Sequence, residues 1–180
     1  EIQQICNTVH PTIGILTAIS PQHLSLFGSM ENIQSTKYEL LRALPKTGLA
    51  VTNGKNPYCT EYVKELSAPV KLFYPDDDIR QATIAPCRIV AEYLGVPKET
   101  IERQVAVLPV SPFKTYAYGQ STIIDDSYNS NPDGFIAALR FLDAFAGDRT
   151  RVVVTRGMIE LGRQSDELHR RVGAEIARVA

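Results

Sequence analysis

From Ile123 to Gly134 the chain reads Ile-Ile-Asp-Asp-Ser-Tyr-Asn-Ser-Asn-Pro-Asp-Gly. Asp125 and Asp126, the amides of Asn129 and Asn131, two serine hydroxyls and Tyr128 are packed into consecutive positions, a set that can orient a polar ligand through several directed hydrogen bonds. Before them Gln120 to Ile124 alternates and then turns apolar like a strand entering a sheet. After them Phe135, Ala138, Leu139, Leu142 and Phe145 recur at helical spacing. Asn131 reads as an N-cap, Pro132 as the first helical residue and Asp133 as a charge favourable to the helix's positive end. A polar loop between a strand's carboxyl end and a helix N-terminus is where open α/β sheets bind ligands and where anions are welcome. For a generic strand-loop-helix, plain turn and cap chemistry is the better explanation of such residues. The order Asp-Asp-Ser-Tyr-Asn-x-Asn-Pro is too particular for that.

Other reactive side chains are scattered. His23 follows the apolar run Ile13 to Ile19, which places it past a strand's carboxyl end, although a lone loop histidine is more often merely solvated. Lys37 falls within an apolar helical stripe of Met30, Ile33, Leu40, Leu41 and Leu44. Either its stem covers apolar surface and lifts the ammonium to water, or its amine is held for modification or for an anion; spacing favours neither. Gly48 to Asn56 narrowly fails as a phosphate-binding loop: Gly48 is one position too far from Gly54-Lys55, and Asn56 replaces the hydroxyl residue. Asp76-Asp77-Asp78 reads better as a solvated helix start than as a metal site.

The elements that must position these groups alternate. Strands are expected at Thr12–Ile19, Leu49–Thr52, Val70–Tyr74, Lys114–Gly119, Ser121–Asp125 and Arg151–Thr155, with helices between them and after Gly162. Pro109, Ser111 and Pro112 mark the sharpest break in composition, dividing the chain into 1–110 and 111–180. The pattern predicts an α/β protein whose two units each have parallel strands and three layers. A formal net charge of -1 with interspersed signs excludes a nucleic-acid footprint or a polybasic membrane patch. No apolar run is long enough to span a membrane and no signal pattern opens the chain, so a cytoplasmic location is expected. Cys6, Cys59 and Cys87 are too scattered for a disulfide framework or zinc site and read as buried hydrophobes. The chain opens on Glu1 and stops within a helical pattern, as expected of part of a longer polypeptide.

The signature loop resembles that of the Mur ligases, in the branch that adds D-alanyl-D-alanine. Further blocks agree in order: Ile19-Ser20-Pro21-Gln22-His23-Leu24 with Phe27-Gly28-Ser29, Lys37, Gly157-Met158-Ile159-Glu160-Leu161-Gly162 and Glu167-Leu168-His169. The resemblance implies a partial three-layer central domain (1–110) followed by a partial Rossmann-like C-terminal domain (111–180). It implies an ATP-dependent, magnesium-requiring ligase of peptidoglycan precursor synthesis, joining D-alanyl-D-alanine to a UDP-N-acetylmuramoyl peptide through an acyl phosphate. Lys37, carbamylated in such enzymes, and His23 would be the catalytic residues and would hold the metal. Asp126, Tyr128, Asn129, Asn131 and Lys114 would bind the nucleotide, and the domains would close for catalysis. The family's P-loop, the acid expected before Glu1 and the UDP-sugar-binding N-terminal domain lie outside this stretch, which alone is expected to be inactive. Three positions depart from the pattern. Ile79-Arg80-Gln81-Ala82-Thr83 replaces a Gly-x-His-Asn-x-x-Asn block, Lys114 stands where an arginine is usual, and Arg156 replaces an Asp or Pro. A folylpolyglutamate or cyanophycin synthetase-like ligase, and a degenerate binding partner without catalysis, are the alternatives.

Overall fold

The computed structural model describes residues 1–75, 78–109, 113–128 and 131–180. In chain order the elements are α1 (Ile2–Val9), β1 (Ile13–Leu16), α2 (Leu24–Phe27), α3 (Met30–Arg42), β2 (Leu49–Asn53), α4 (Pro57–Thr60), β3 (Val70–Phe73), α5 (Ile79–Tyr93), α6 (Lys98–Val107), β4 (Lys114–Tyr118), β5 (Ser121–Asp125), α7 (Pro132–Ala146) and α8 (Ser165–Val179), with short 3-10 turns at Val63–Glu65 and Gly162–Gln164. Contacts gather them into two compact units, Glu1–Ile19 with Glu31–Val110, and Ser20–Met30 with Ser111–Ala180.

The first unit is built on a parallel sheet of order β1-β2-β3, with Ile13 opposite Leu49 and Ala50 opposite Val70. Every residue of the central strand β2 is buried, as a strand with neighbours on both sides and helices on both faces must be. On one face Leu49, Val51 and Phe73 pack with Ile13 and with Ala85, Ile89 and Val90 of the sequence around α5. On the other, Gly14 lets Leu40, Leu41 and Leu44 approach to within 3.3 Å of where its Cβ would stand. The expected three-layer α/β arrangement is therefore present here. The apolar run of β1 predicts cover on both faces, yet β1 is an edge strand whose Ile15 is 36% exposed.

The exits of β1 and β2 are tied by amides. Asn53 Nδ2 donates to Thr17 O and Asn56 Nδ2 to Ile19 O, both at 2.9 Å. Asn56 Oδ1 meanwhile accepts from Cys59 N as the N-cap of α4. The near-miss phosphate loop is thus a structural clamp.

In the second unit β4 and β5 form an antiparallel hairpin turning at Gly119, whose φ of 57° suits glycine. Helices α7 and α8 pack through a cluster of Met158, Leu161, Leu168 and Val172 that also takes Phe135, Ile136 and Ile176. Asn131 caps α7 as its sequence predicts, Oδ1 accepting from Gly134 N at 3.0 Å. Arg151 to Thr155, expected as a strand, is not one: Val152 and Val154 are 73% and 92% exposed, and the segment has no ladder partner among the described residues. A β-strand is defined by its neighbours' hydrogen bonds, so an apolar, β-branched run without them stays irregular. The sheet of this unit is accordingly antiparallel, not parallel.

One further expectation is corrected. Cys6 and Cys59 are buried but Cys87 is exposed, because α5 turns a different stripe, including buried Ile84, to the core.

Gly48 lies where backbone passes backbone: an added Cβ would stand 2.4 Å from Thr12 O and 3.1 Å from Pro45 O. Gly48→Ala should destabilise the chain by about 1–3 kcal/mol, lowering the urea midpoint at constant slope. Gly173→Ala, in the exposed interior of α8 with nothing within 4 Å of the added carbon, should instead stabilise by roughly 0.5–1 kcal/mol.

Candidate functional site

Lys37 is carried by α3, whose orientation is fixed by buried polar groups. The fully buried residues of the helix are Ile33, Gln34, Tyr38 and Leu41. Gln34 Nε2 donates to Tyr58 O at 2.9 Å and to Glu61 Oε2 at 2.8 Å, and Tyr38 Oη to Cys59 O at 2.7 Å. The apolar spacing puts Lys37 mid-stripe; in the fold it is half-buried at the stripe's border, because Gln34 and Tyr38 take the inward positions with their polar atoms satisfied. It lines a cavity of ≈ 350 Å³ with Ile2, Ile5, Ile15, Leu16 and Leu40. Its charge also reaches the Cys59 thiol, which burial pushes up to about 11.

His23 does not directly follow a strand, since β1 ends at Leu16. It precedes the single turn of α2 in a left-handed conformation, φ 54°, and its carbonyl accepts from Leu26 N and Phe27 N. Its Nδ1 is hydrogen-bonded to Glu160 Oε2. Glu160 lies in the stretch from Gly157 to Gly162, and nothing in the spacing of residues 137 positions apart announces the pair.

In the signature loop the two acids are held differently. Asp125 Oδ1 accepts from Ser127 N at 3.0 Å. Its carboxyl is held below the ordinary value by the Ser127 hydroxyl and backbone N–H, helped by the charge of Lys114, its cross-strand partner. Asp126 is raised instead, first by partial desolvation and then by the neighbouring Asp125 charge. Adjacent carboxyls are thus pushed in opposite directions by their surroundings, with Asp125 closing the turn. Tyr128 projects wholly into solvent, its ring free to stack. Asn131 Oδ1 accepts from Gly134 N as the α7 cap. Asn129 lies outside the described residues, as do Asp76 and Asp77; Asp78 caps α5, accepting from Arg80 N at 2.8 Å.

A sequence model of the Mur ligase middle domain matches residues 1–90, and one of the Mur ligase glutamate ligase domain matches residues 113–180. The chain belongs to the Mur ligase family. The UDP-N-acetylmuramoyl-tripeptide–D-alanyl-D-alanine ligase of Haemophilus influenzae is 24% identical over 214 aligned positions, covering 98% of this chain and 46% of that protein. MurF from Acinetobacter baumannii superposes with a TM-score of 0.84 at 21% identity, over 99% of this chain and 47% of its own. The MurF ligase of Thermotoga maritima, solved with ADP, gives 0.78 at 21% identity over 97% and 48%. The chain therefore spans about half the length of the relatives it matches. The Haemophilus alignment is also longer than the 180 residues of this chain, so that relative carries residues here that this Mur ligase chain lacks.

Arg80 donates to Val105 O, Leu108 O and Pro109 O and so closes the carboxyl end of α6.

Magnesium in phosphoryl-transfer sites is held by one or two protein ligands, with water and phosphate oxygens completing six positions. Among the described residues no three His, Cys, Asp or Glu side chains converge. What the chain offers is single donors: the Nε2 of His23, left open by the bond at Nδ1, and the amine of Lys37, which gains ligand oxygens only as a carbamate. Each is a single donor of the kind that leaves a cation's remaining positions to water and phosphate oxygens, and neither is part of a closed cage.

Because the Asp126 carboxyl is raised in the fold, its protonated form favours folding; that contribution is complete below the ordinary carboxylate value and is lost as pH rises through the raised one. Asp126→Asn should therefore be more stable than the wild type at neutral pH, and the difference in melting temperature should close below about pH 4.

Proposed function

We propose that this chain forms the central domain (1–110) and the start of the C-terminal domain (111–180) of an ATP-dependent ligase that joins D-alanyl-D-alanine to a UDP-N-acetylmuramoyl peptide in cytoplasmic peptidoglycan synthesis. One observation carries the reading: a ligase of that name matches the chain over 98% of its length.

In the reaction a peptide carboxylate attacks the γ-phosphorus of ATP, ADP leaves and an acyl phosphate results. The amine of D-alanyl-D-alanine then attacks the acyl carbon, phosphate departs with the bonding pair and the amine loses a proton. Little of this chemistry needs covalent help from the protein, so catalysis rests on positioning and on offsetting phosphate charge. Lys37 and His23 are the catalytic residues of that kind, and they would hold magnesium, Lys37 as a carbamate. The metal, when bound, neutralises charge on the transferring group. Asp126, Asn129 and Asn131 orient the nucleotide by hydrogen bonds, Tyr128 offers a stacking face, and Lys114 supplies a point charge without an arginine's planar fork. A structural relative solved with ADP supports the nucleotide assignment.

The second reading is a non-catalytic binding partner that keeps the fold. It is favoured by the use of Arg80 as a helix cap where the family places nucleotide-binding asparagines. ATP consumption by the full-length polypeptide decides between them. The ligase reading expects turnover only when D-alanyl-D-alanine and the UDP-muramoyl peptide are both present, falling by about 10²-fold or more in Lys37→Ala. Turnover with glutamate in place of the dipeptide would indicate a folylpolyglutamate-type ligase, and none with any amine would establish the binding partner.

A further inference from the structure

The loop between Gly157 and Gly162 is built to hold one carboxylate still. Gly157 and Gly162 have φ of 84° and 58°, and Glu160 itself sits at φ 62°, a conformation that costs a non-glycine residue and persists only where surroundings impose it. Those surroundings are evident. Met158 and Leu161 are buried against Leu168 and Val172. Met158 N donates to His169 Nε2 at 3.0 Å, and His169 Nδ1 is 2.8 Å from Ser165 O, which fixes that ring as the Nδ1–H tautomer and locks the loop to α8. A Cβ on Gly157 would stand 3.0 Å from the same ring. Glu160 O, in turn, accepts from Ser25 N at 3.0 Å, while its side chain meets His23. Both residues of the pair thus carry left-handed backbone, and both are held by other contacts.

We propose that Glu160 is a positioning residue for His23. Its carboxylate accepts the Nδ1–H, so the imidazole is kept as the Nδ1–H tautomer with the Nε2 lone pair bare and aimed. A histidine in water prefers the proton on Nε2, where it would block ligation; an acceptor at Nδ1 reverses that preference and fixes the ring's orientation. The electrophile served at Nε2 is the divalent cation of the phosphoryl transfer, and this part rests on the ligase reading above. The tautomer itself does not.

Histidine-selective ¹⁵N labelling of the chain, which has only His10, His23 and His169, reads the tautomer directly. The expected result is protonated Nδ1 and unprotonated Nε2 at His23, changed to predominantly Nε2–H in Glu160→Ala and retained in Glu160→Gln, whose amide oxygen still accepts. Nε2–H at His23 in the wild type, or no change in Glu160→Ala, overturns the proposal. Retained His169 signals confirm that the variants keep the loop. Manganese binding to the full-length protein in the presence of ADP supplies the second readout. Glu160→Ala should weaken it about 10–100-fold, with Glu160→Gln close to wild type. If His23→Ala leaves manganese affinity unchanged, the metal-binding role of His23 fails while the tautomer result stands as its own measurement. If His23→Ala weakens binding and Glu160→Ala does not, positioning is refuted and the ligase reading survives.

Discussion

Strand β2 can be buried along its whole length only because β1 and β3 take its backbone groups on either side, and much of the first unit follows from that constraint. A buried ladder leaves the chain no choice about where it emerges, and at the exits the amides of Asn53 and Asn56 bind the carbonyls of Thr17 and Ile19. The helix that follows β2 then presents Cys59 O as a shared acceptor for Thr52 Oγ1 and Tyr38 Oη, at 2.9 and 2.7 Å. Through these bonds α3 is locked in rotation, since turning it would strand buried polar atoms at a cost of roughly 1–3 kcal/mol each. Lys37 lies one residue before Tyr38 and is therefore placed by the core of the sheet, although it touches none of the sheet's central residues in a hydrogen bond of its own.

The second unit reaches the same end by different means. Its hairpin is largely exposed and supplies little core; order comes from α7 against α8 and from the loop after Gly157 that their cluster anchors. The carboxyl end of α7 is finished by basic residues, Arg149 Nε donating to Ala146 O and Arg151 to Gly147 O, while Arg151 also pairs with Asp143. These contacts hold the irregular stretch from Arg151 onward at its start, as the His169 ring does near its end. An element without a ladder is thus kept in place by side chains.

The chemistry proposed for this Mur ligase chain depends on unequal treatment of like groups. Asp125 and Asp126 are neighbours with the same intrinsic acidity, yet the hydrogen bonds from Ser127 lower one and desolvation raises the other. His23 and His169 are both bonded at Nδ1, but one gives its second nitrogen to Met158 N and the other keeps it open. In each pair one member builds the fold, and the other is the one the proposed chemistry uses. Removing the structural member would harm the functional one, so losses at either position need a measurement other than activity to assign them.

Periodicity and local cap chemistry settled most of the local structure. Apolar spacing marked the helices and the strands of the parallel sheet, Pro132 marked the start of α7, and Asn131 caps that helix as its position before a proline requires. These are short-range effects, decided by residues within one turn of each other, and they are written in the order of the chain. The signature loop and the accompanying blocks were also legible, and with them the family. Tertiary structure alone decided the rest. Arg151–Thr155 has the composition of a strand but no neighbour to pair with; Gln34 and Tyr38 are buried because distant carbonyls receive their protons; Arg80 caps a helix far along the sequence. The pairing of His23 with Glu160 joins segments that no local rule relates. Hydrogen-bond partners across a fold are set by packing, and a sequence read in one dimension holds the donors and acceptors without saying which will meet.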